Sequence, residues 1–336
     1  MERVKTFHRV PLSVLDLAPV NEGSTPSQSF KNSVDLAQHV EKWGFYRYWL
    51  AEHHNMPGIA SSATSVVIGH IAGHTKYIRV GSGGIMLPNH APLVVAEQFG
   101  TLESMYPGRI DLGLGRAPGT DQLTAFALRR TLHSGPEDFP NQVEELQAYF
   151  KGGPHAPVRA IPGEGLDIPI WLLGSSDYSA RLAAEKGLPF AFASHFSSEY
   201  TIPALTIYRN NFKPSDVLKE PYAMVAVNLI AADTEEKAKY IATSQDQQFL
   251  NLRSGKTTML QPPIENIDQA WTPYEQEIVR QRHEQPSTII GDQQMVKEKL
   301  TQFINETEAD EVIINSQIFH HEDRLRSYEI VAELMD

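Results

Sequence analysis

Eight short apolar runs punctuate the chain, at Pro11–Leu17, Phe45–Leu50, Ile78–Gly81, Ile110–Gly113, Ile168–Leu173, Phe190–Ala193, Tyr222–Ala231 and Glu311–Asn315. Each is rich in Val, Ile, Leu or aromatics, as parallel strands covered on both faces require. Amphipathic segments lie between them. Phe30, Val34, Ala37 and Val40 recur at helical spacing and Gly44 follows as a stop. Val95, Phe99, Leu102 and Met105 repeat the pattern before Pro107-Gly108, and Ala180, Leu182, Ala183 and Ala184 do so before Gly187. Met295 to Ile304 reads as the last crossover helix. Strand and helix in alternation imply a parallel sheet, and eight strands suit a closed TM-free α/β architecture, the TIM (β/α)8 barrel. A doubly wound open sheet would carry a glycine-rich turn after its first strand. That place holds Leu17-Ala18-Pro19-Val20-Asn21-Glu22-Gly23, which is no such turn.

Two stretches break the rhythm. Gly152–Gly165, rich in Pro and Gly, reads as a loop before the fifth strand. Gln245–Pro286 is long, polar and broken by Pro262-Pro263 and Pro273, far longer than an ordinary connection. Residues 245–287 are therefore expected to form a lid or a mobile insertion within one barrel domain spanning 1–336.

Composition narrows the function. The chain has 336 residues, 41% of them hydrophobic, enough for a large core. It has no cysteine, which excludes disulfides, thiolate metal sites and cysteine nucleophiles. A net charge of −12 and no basic run longer than Arg129-Arg130 argue against a nucleic-acid partner. No stretch approaches the ~20 apolar residues of a membrane span, and Met1–Val10 lacks an apolar signal core, so the expected location is the cytoplasm.

In a barrel of this kind the chemistry sits just after the strands. After the second strand stand Glu52-His53-His54; alternation sends Glu52 and His54 one way and His53 the other. A histidine here can move a proton or hydrogen-bond a bound ring. The His-x-His pair and later ligands of a metal-dependent barrel hydrolase are absent, so no metal is expected. After the third strand, Ser82-Gly83-Gly84 with Asn89 further on would let a flat ring lie against backbone. After the fourth, Arg116 offers a fork that fits phosphate oxygens. After the fifth, Gly174-Ser175-Ser176-Asp177-Tyr178 leads into a helix whose free N–H groups favour an anion, although a plain serine cap would look the same. An arginine and a helix start converging on one phosphate, beside a glycine-lined ring site, outline a flavin mononucleotide site.

Glu52-His53-His54, Gly81–Pro92 with its Leu87-Pro88-Asn89-His90, Val95–Gln98 and Pro107–Arg116 together resemble the bacterial luciferase-like monooxygenases, the one-component luciferase family oxidoreductases in particular. The likeness is dense over 8–120, clear at 168–195, thinner over 290–316 and faint over 200–287. It implies a non-prolyl cis peptide at Gly83-Gly84 and phosphate binding by Arg116, Ser175 and Ser176. It places a catalytic histidine at His53, with Glu52 and His54 beside it, and assigns Ser82, Gly83, Gly84, Asn89, Gly174 and Tyr178 to the cofactor site. Gly115 stands where some luciferases carry cysteine, so light emission is not implied. The resemblance implies a homodimeric flavoprotein oxidoreductase, a monooxygenase using FMN reduced by a separate flavin reductase, with O2, on a small organic substrate. An F420-dependent oxidoreductase and a non-catalytic flavin-binding barrel are the alternatives.

Overall fold

The computed structural model describes residues 4–117, 119–128, 136–153 and 156–336. Arg129-Arg130, Pro118 and two residues of the Gly152–Gly165 loop lie outside them. The chain runs β1 (Thr6–Phe7), β2 (Val10–Asp16), α1 (Pro26–Trp43), β3 (Arg47–Leu50), α2 (Thr64–His74), β4 (Arg79–Met86), α3 (Pro92–Met105), β5 (Ile110–Gly115), α4 (Gln122–Leu128) and α5 (Phe139–Lys151). It continues with β6 (Ile170–Gly174), α6 (Asp177–Lys186), β7 (Phe190–Phe192), α7 (Thr201–Asn211), β8 (Ala223–Ala231), α8 (Glu235–Arg253), α9 (Ile267–Ala270), α10 (Pro273–His283), β9 (Thr288–Gly291), α11 (Gln293–Thr307), β10 (Glu311–Asn315) and α12 (His321–Ala332).

Eight parallel strands, β2 to β8 with β10, close on one another where Val312 of β10 pairs with Leu12 of β2. All eight expected strands are present, and the TIM-barrel reading holds. Two extra strands escaped the sequence reading. β1 pairs back on β2 through a tight turn at His8-Arg9, and the four-residue β9 pairs with the far half of β8. Side chains alternate as a barrel demands. Leu12, Val14, Tyr48 and Leu50 pack outward with the helices, whereas Leu15, Trp49, Trp171, Met224 and Ile313 fill the inside.

Helix α1 starts on a capping bond from the Gln28 N–H to the Thr25 hydroxyl and stops at Gly44, whose φ of 91° only glycine adopts without strain. Met105, grouped with the buried face of α3 by spacing, is in fact 54% exposed, because the helix ends there and its last turn faces solvent.

Polar clusters tie the barrel together. At the N-terminal ends of the strands Arg47 donates to Glu311 at 3.0 Å and to Asp111 at 2.7 Å, and Arg79 donates to Asp111 at 2.6 Å. Outside the barrel wall, Asp16 accepts from Ser33, Tyr48 and, at 2.7 Å, Arg324 of α12. Burial alone would raise the Asp16 carboxyl, but Arg324 and the two hydroxyls hold it below its usual range.

The Gln245–Pro286 stretch is largely helical. It holds the end of α8 together with α9 and α10, and α10 begins with a capping box between Thr272 and Glu275. These helices are polar and lack a strong apolar stripe, so spacing could not reveal them. The stretch crosses the C-terminal face of the barrel. The Leu260 N–H donates to the Val20 carbonyl at 2.9 Å, and Ser287 Oγ donates to the Ser194 carbonyl at 2.8 Å. Among the described residues no helix is long and apolar enough to cross a membrane.

Candidate functional site

At that face the barrel opens into a cavity of about 260 Å³. Its floor is the apolar interior, with Leu15, Trp49, Met224 and Ile313, and its rim is built from strand ends: His53, Gly83, Arg116, Gly174, Ser175, Ser176 and His195. Six predicted site residues are thus brought together. The others, Glu52, His54, Ser82, Gly84, Asn89 and Tyr178, do not line it.

The histidines after β3 divide as alternation requires. His53 lines the cavity, and its Nδ1 lies 3.2 Å from the Gly119 carbonyl. A carbonyl can only accept, so the proton sits on Nδ1 and Nε2 keeps its lone pair. Burial lowers the pKa of His53. Glu52, on the opposite side, is 1% exposed. Its Oε1 accepts from His54 Nε2 at 2.8 Å and His90 Nε2 at 2.9 Å, and its Oε2 from the Met86 N–H at 3.1 Å. The ligating atoms of Glu52, His54 and His90 lie within 4.8 Å of one another, a donor set that can hold a cation. As arranged, both imidazoles spend their Nε2 protons on one oxygen, and an Nε2 that carries a proton has no lone pair for a metal. The cluster is a hydrogen-bonded clamp from the end of β3 to the end of β4. Glu52 and His54 do not reach the cavity.

Burial raises the Glu52 carboxyl, but the two histidines and the amide outweigh it and hold the group at about 2. A folded value below the usual 4.5 adds stability that is present above pH 4.5 and lost as pH falls towards 2. Glu52→Gln should therefore show a pH-dependent deficit of about 3 kcal/mol above pH 5, closing between pH 4.5 and 2. Denaturant unfolding across that range reads it, and a gap flat in pH would show that the charge of Glu52 is not what the clamp uses.

The glycines do not follow the third strand, as the sequence suggested; they lie inside it. β4 runs on to Met86, and its register with β5 slips between Ser82 and Ile85. The ladder resumes because Ile85 and Met86 find Leu114 and Gly115. Ser82 Oγ locks the slip by donating to the Gly113 carbonyl at 2.9 Å and accepting from the Gly113 N–H at 3.0 Å. The Gly83-Gly84 peptide is cis. A Cβ on Gly83 would meet only the movable end of Leu15, at 2.8 Å, whereas one on Gly84 would sit 2.7 Å from the Gly113 carbonyl oxygen, which is backbone, so it is Gly84 whose place demands glycine. Asn89 is buried in the short turn that follows, Leu87–Asn89.

Arg116 is the first residue after β5. Its guanidinium lies 4.0 Å over the Tyr178 ring, and among the described residues it has no hydrogen-bond acceptor or acidic partner. Beside it, Ser176 immediately precedes α6, and its side chain makes no capping bond. A serine serving only as a cap would make that bond. An arginine fork, two hydroxyls and a helix start without a side-chain cap thus stand together on the rim, the kinds of donor an anion uses.

His195 escaped the sequence reading. It lies two residues past Ala193, in the same relation to its strand as the residues that were singled out. Its carbonyl accepts from Asn228 Nδ2 at 3.1 Å, and its ring lies 4.0 Å from that of Phe196. No residue of 245–287 lines the cavity.

Comparison with known proteins adds to this geometry. A sequence model of the luciferase-like monooxygenases matches residues 10–311. The chain is 53% identical to a luciferase-like monooxygenase of Escherichia coli (strain K12), with 98% of each chain covered. It is 31% identical to the N-acetyl-S-alkylcysteine monooxygenase of Bacillus subtilis (strain 168), covering 96% of this chain and 98% of that one. Among solved structures, apo-MsnO8 superimposes with a TM-score of 0.91 at 34% identity, covering 97% and 98% of the two chains.

Proposed function

The chain belongs to the luciferase-like monooxygenase family, and from that premise we propose that it is an FMN-dependent monooxygenase acting on a small organic substrate. The observation that carries the cofactor is the unpartnered Arg116 beside the uncapped start of α6, on the rim of an apolar cavity. A phosphate monoester fits that rim, since the guanidinium offers two parallel donors and the helix start offers more. The wall at Gly83, which carries no side chain, fits a planar ring. The donor set therefore suits a flavin mononucleotide: Arg116, Ser175 and Ser176 hold its phosphate, while Gly83, Gly84 and Gly174 leave room for its ring. Tyr178 keeps Arg116 in place, and Ser82 and Asn89 stiffen the β4 end.

When bound and reduced, the flavin supplies the electrons that activate O2. The chain's own part is to orient and exclude. His53 faces the reacting space with Nε2 free to accept a proton, its tautomer fixed by Gly119. Glu52 and His54 are positioning residues, holding the end of β3 against the end of β4. The apolar floor keeps water from the reacting atoms. The reading takes 1–336 as one barrel, with 245–287 as the segment that covers its mouth, and takes the working form to be a cytoplasmic homodimer fed with reduced flavin by a separate reductase.

Titration of the purified protein with oxidised and then reduced FMN, and with F420 in parallel, tests the cofactor. Saturable binding with preference for reduced FMN is the expected result. Preference for F420 would replace the monooxygenase with a hydride-transfer enzyme, and binding without oxygen consumption in the presence of a reductase would leave a flavin carrier.

A further inference from the structure

Charge is nearly absent from the cavity. Among the described residues that line it, Arg116 is the one permanently charged side chain, and no Asp or Glu is present. The two lining imidazoles are neutral at pH 7. Burial lowers His53, and burial, with Arg282 and His53 nearby, brings His195 to about 3. Arg282 does not reach the cavity and is neutralised by Asp246. The rest of the lining is chiefly aliphatic, aromatic or glycine, down to Leu15, Trp49, Met224 and Ile313.

An ion entering such a space loses its hydration and meets no counter-charge. An organic cation finds no carboxylate among the described lining residues. An organic anion finds only Arg116, which the flavin phosphate already uses in the reading above. Wherever the ring lies, the remaining wall offers no second fixed charge among the described residues. One polar feature is unspent. Among the described residues neither ring nitrogen of His195 makes a hydrogen bond, and Nδ1 is fully enclosed. His53 differs, with Nδ1 occupied by Gly119. Enclosed Nδ1 is out of a ligand's reach, so Nε2 is the nitrogen left to face the cavity, and with the proton there the half-buried ring can donate to a ligand.

We infer that the substrate is an uncharged, largely apolar molecule carrying one oxygen that accepts a hydrogen bond from His195. This rests on the flavin-site reading, since that reading commits Arg116. His195 acts here as a specificity contact.

Three probes of one ring size separate the classes: cyclohexanone, cyclohexanecarboxylate and cyclohexylammonium, titrated into FMN-loaded protein at pH 7.5 and followed by ligand-observed NMR. Cyclohexanone should bind saturably, and the two ions at least about tenfold more weakly. In His195→Phe, which keeps an aromatic ring and removes the donor, cyclohexanone should bind about fivefold more weakly, with FMN affinity unchanged. His195→Gln restores an N–H donor and should recover most of that loss; it also serves if the phenylalanine variant does not fold by circular dichroism. Either ion binding as tightly as the ketone, no saturable ketone binding, or donor-independent ketone affinity across the variants that fold would overturn the inference. Flavin fluorescence, recorded separately, tells loss of the flavin site from loss of this contact. If FMN does not bind at all, the cofactor reading fails, and the same titration on the unloaded protein decides the charge preference.

Discussion

Arg116→Ala should weaken FMN binding by about 1.5–3 kcal/mol, some ten- to a hundredfold in Kd, the worth of one hydrogen-bonded charged contact. The size follows from the surroundings of the residue. Among the described residues no carboxylate competes for the guanidinium, and the Tyr178 ring 4.0 Å beneath it limits its freedom before any ligand arrives. Little ordering is left for binding to impose. Arg116→Lys should recover only part of the loss, because an ammonium keeps the charge without the two parallel donors. Raising the salt concentration should weaken FMN binding to the wild type more than to Arg116→Ala, since the variant has lost a half-buried charge that salt still screens. Unaltered affinity of Arg116→Ala in a fluorescence titration would remove the phosphate from this rim and the flavin reading with it.

The second large effect belongs to stability. Arg47→Met should cost about 3–5 kcal/mol, the usual penalty for stranding a buried charge. Arg47 is 6% exposed and serves two carboxylates, Glu311 on one side and Asp111 on the other. Asp111 would keep Arg79, but Glu311 would retain only the hydroxyls of Ser13 and Tyr222. Burial raises the Glu311 carboxyl even in the intact cluster, so without Arg47 the group should take up a proton. Denaturant unfolding measures the loss. The cluster lies at the end of the strands remote from the cavity, so the folded variant should bind FMN as the wild type does. A deficit under 1 kcal/mol would mean that water or a rearranged Arg79 replaces Arg47.

The barrel was legible because its eight strands are covered on both faces and so read as apolar runs. The division between His53 and Glu52 was legible too, since alternation in a strand is geometric. What escaped was set by partners remote in sequence. The Gly83-Gly84 slip stays within β4 only because Ile85 and Met86 find Leu114 and Gly115. β9, Thr288-Ile289-Ile290-Gly291, has only two apolar residues and so carries too little pattern to be told from a loop. Of the missed helices, α10 did leave a local sign, the Thr272-Pro273-Tyr274-Glu275 start, where capping substitutes for an apolar stripe. His195 could have been found by applying to the sixth strand the rule applied to the second. Its lack of a hydrogen-bond partner could not, because only the fold shows what surrounds a side chain. For the same reason spacing could not show that Glu52 and His54 would form a clamp with His90 instead of entering the cavity.

The seam between β2 and β10 bears on how the protein is made. Leu12 pairs with Val312, and Asp16 waits for Arg324. On the ribosome β10 follows β2 only after all the other strands of the barrel have been made. Until then the nascent sheet has an open edge and an acid without its base, and contacts so distant in sequence form slowly. Translation speed and chaperone supply should therefore matter more to the yield of this chain than its finished core would suggest.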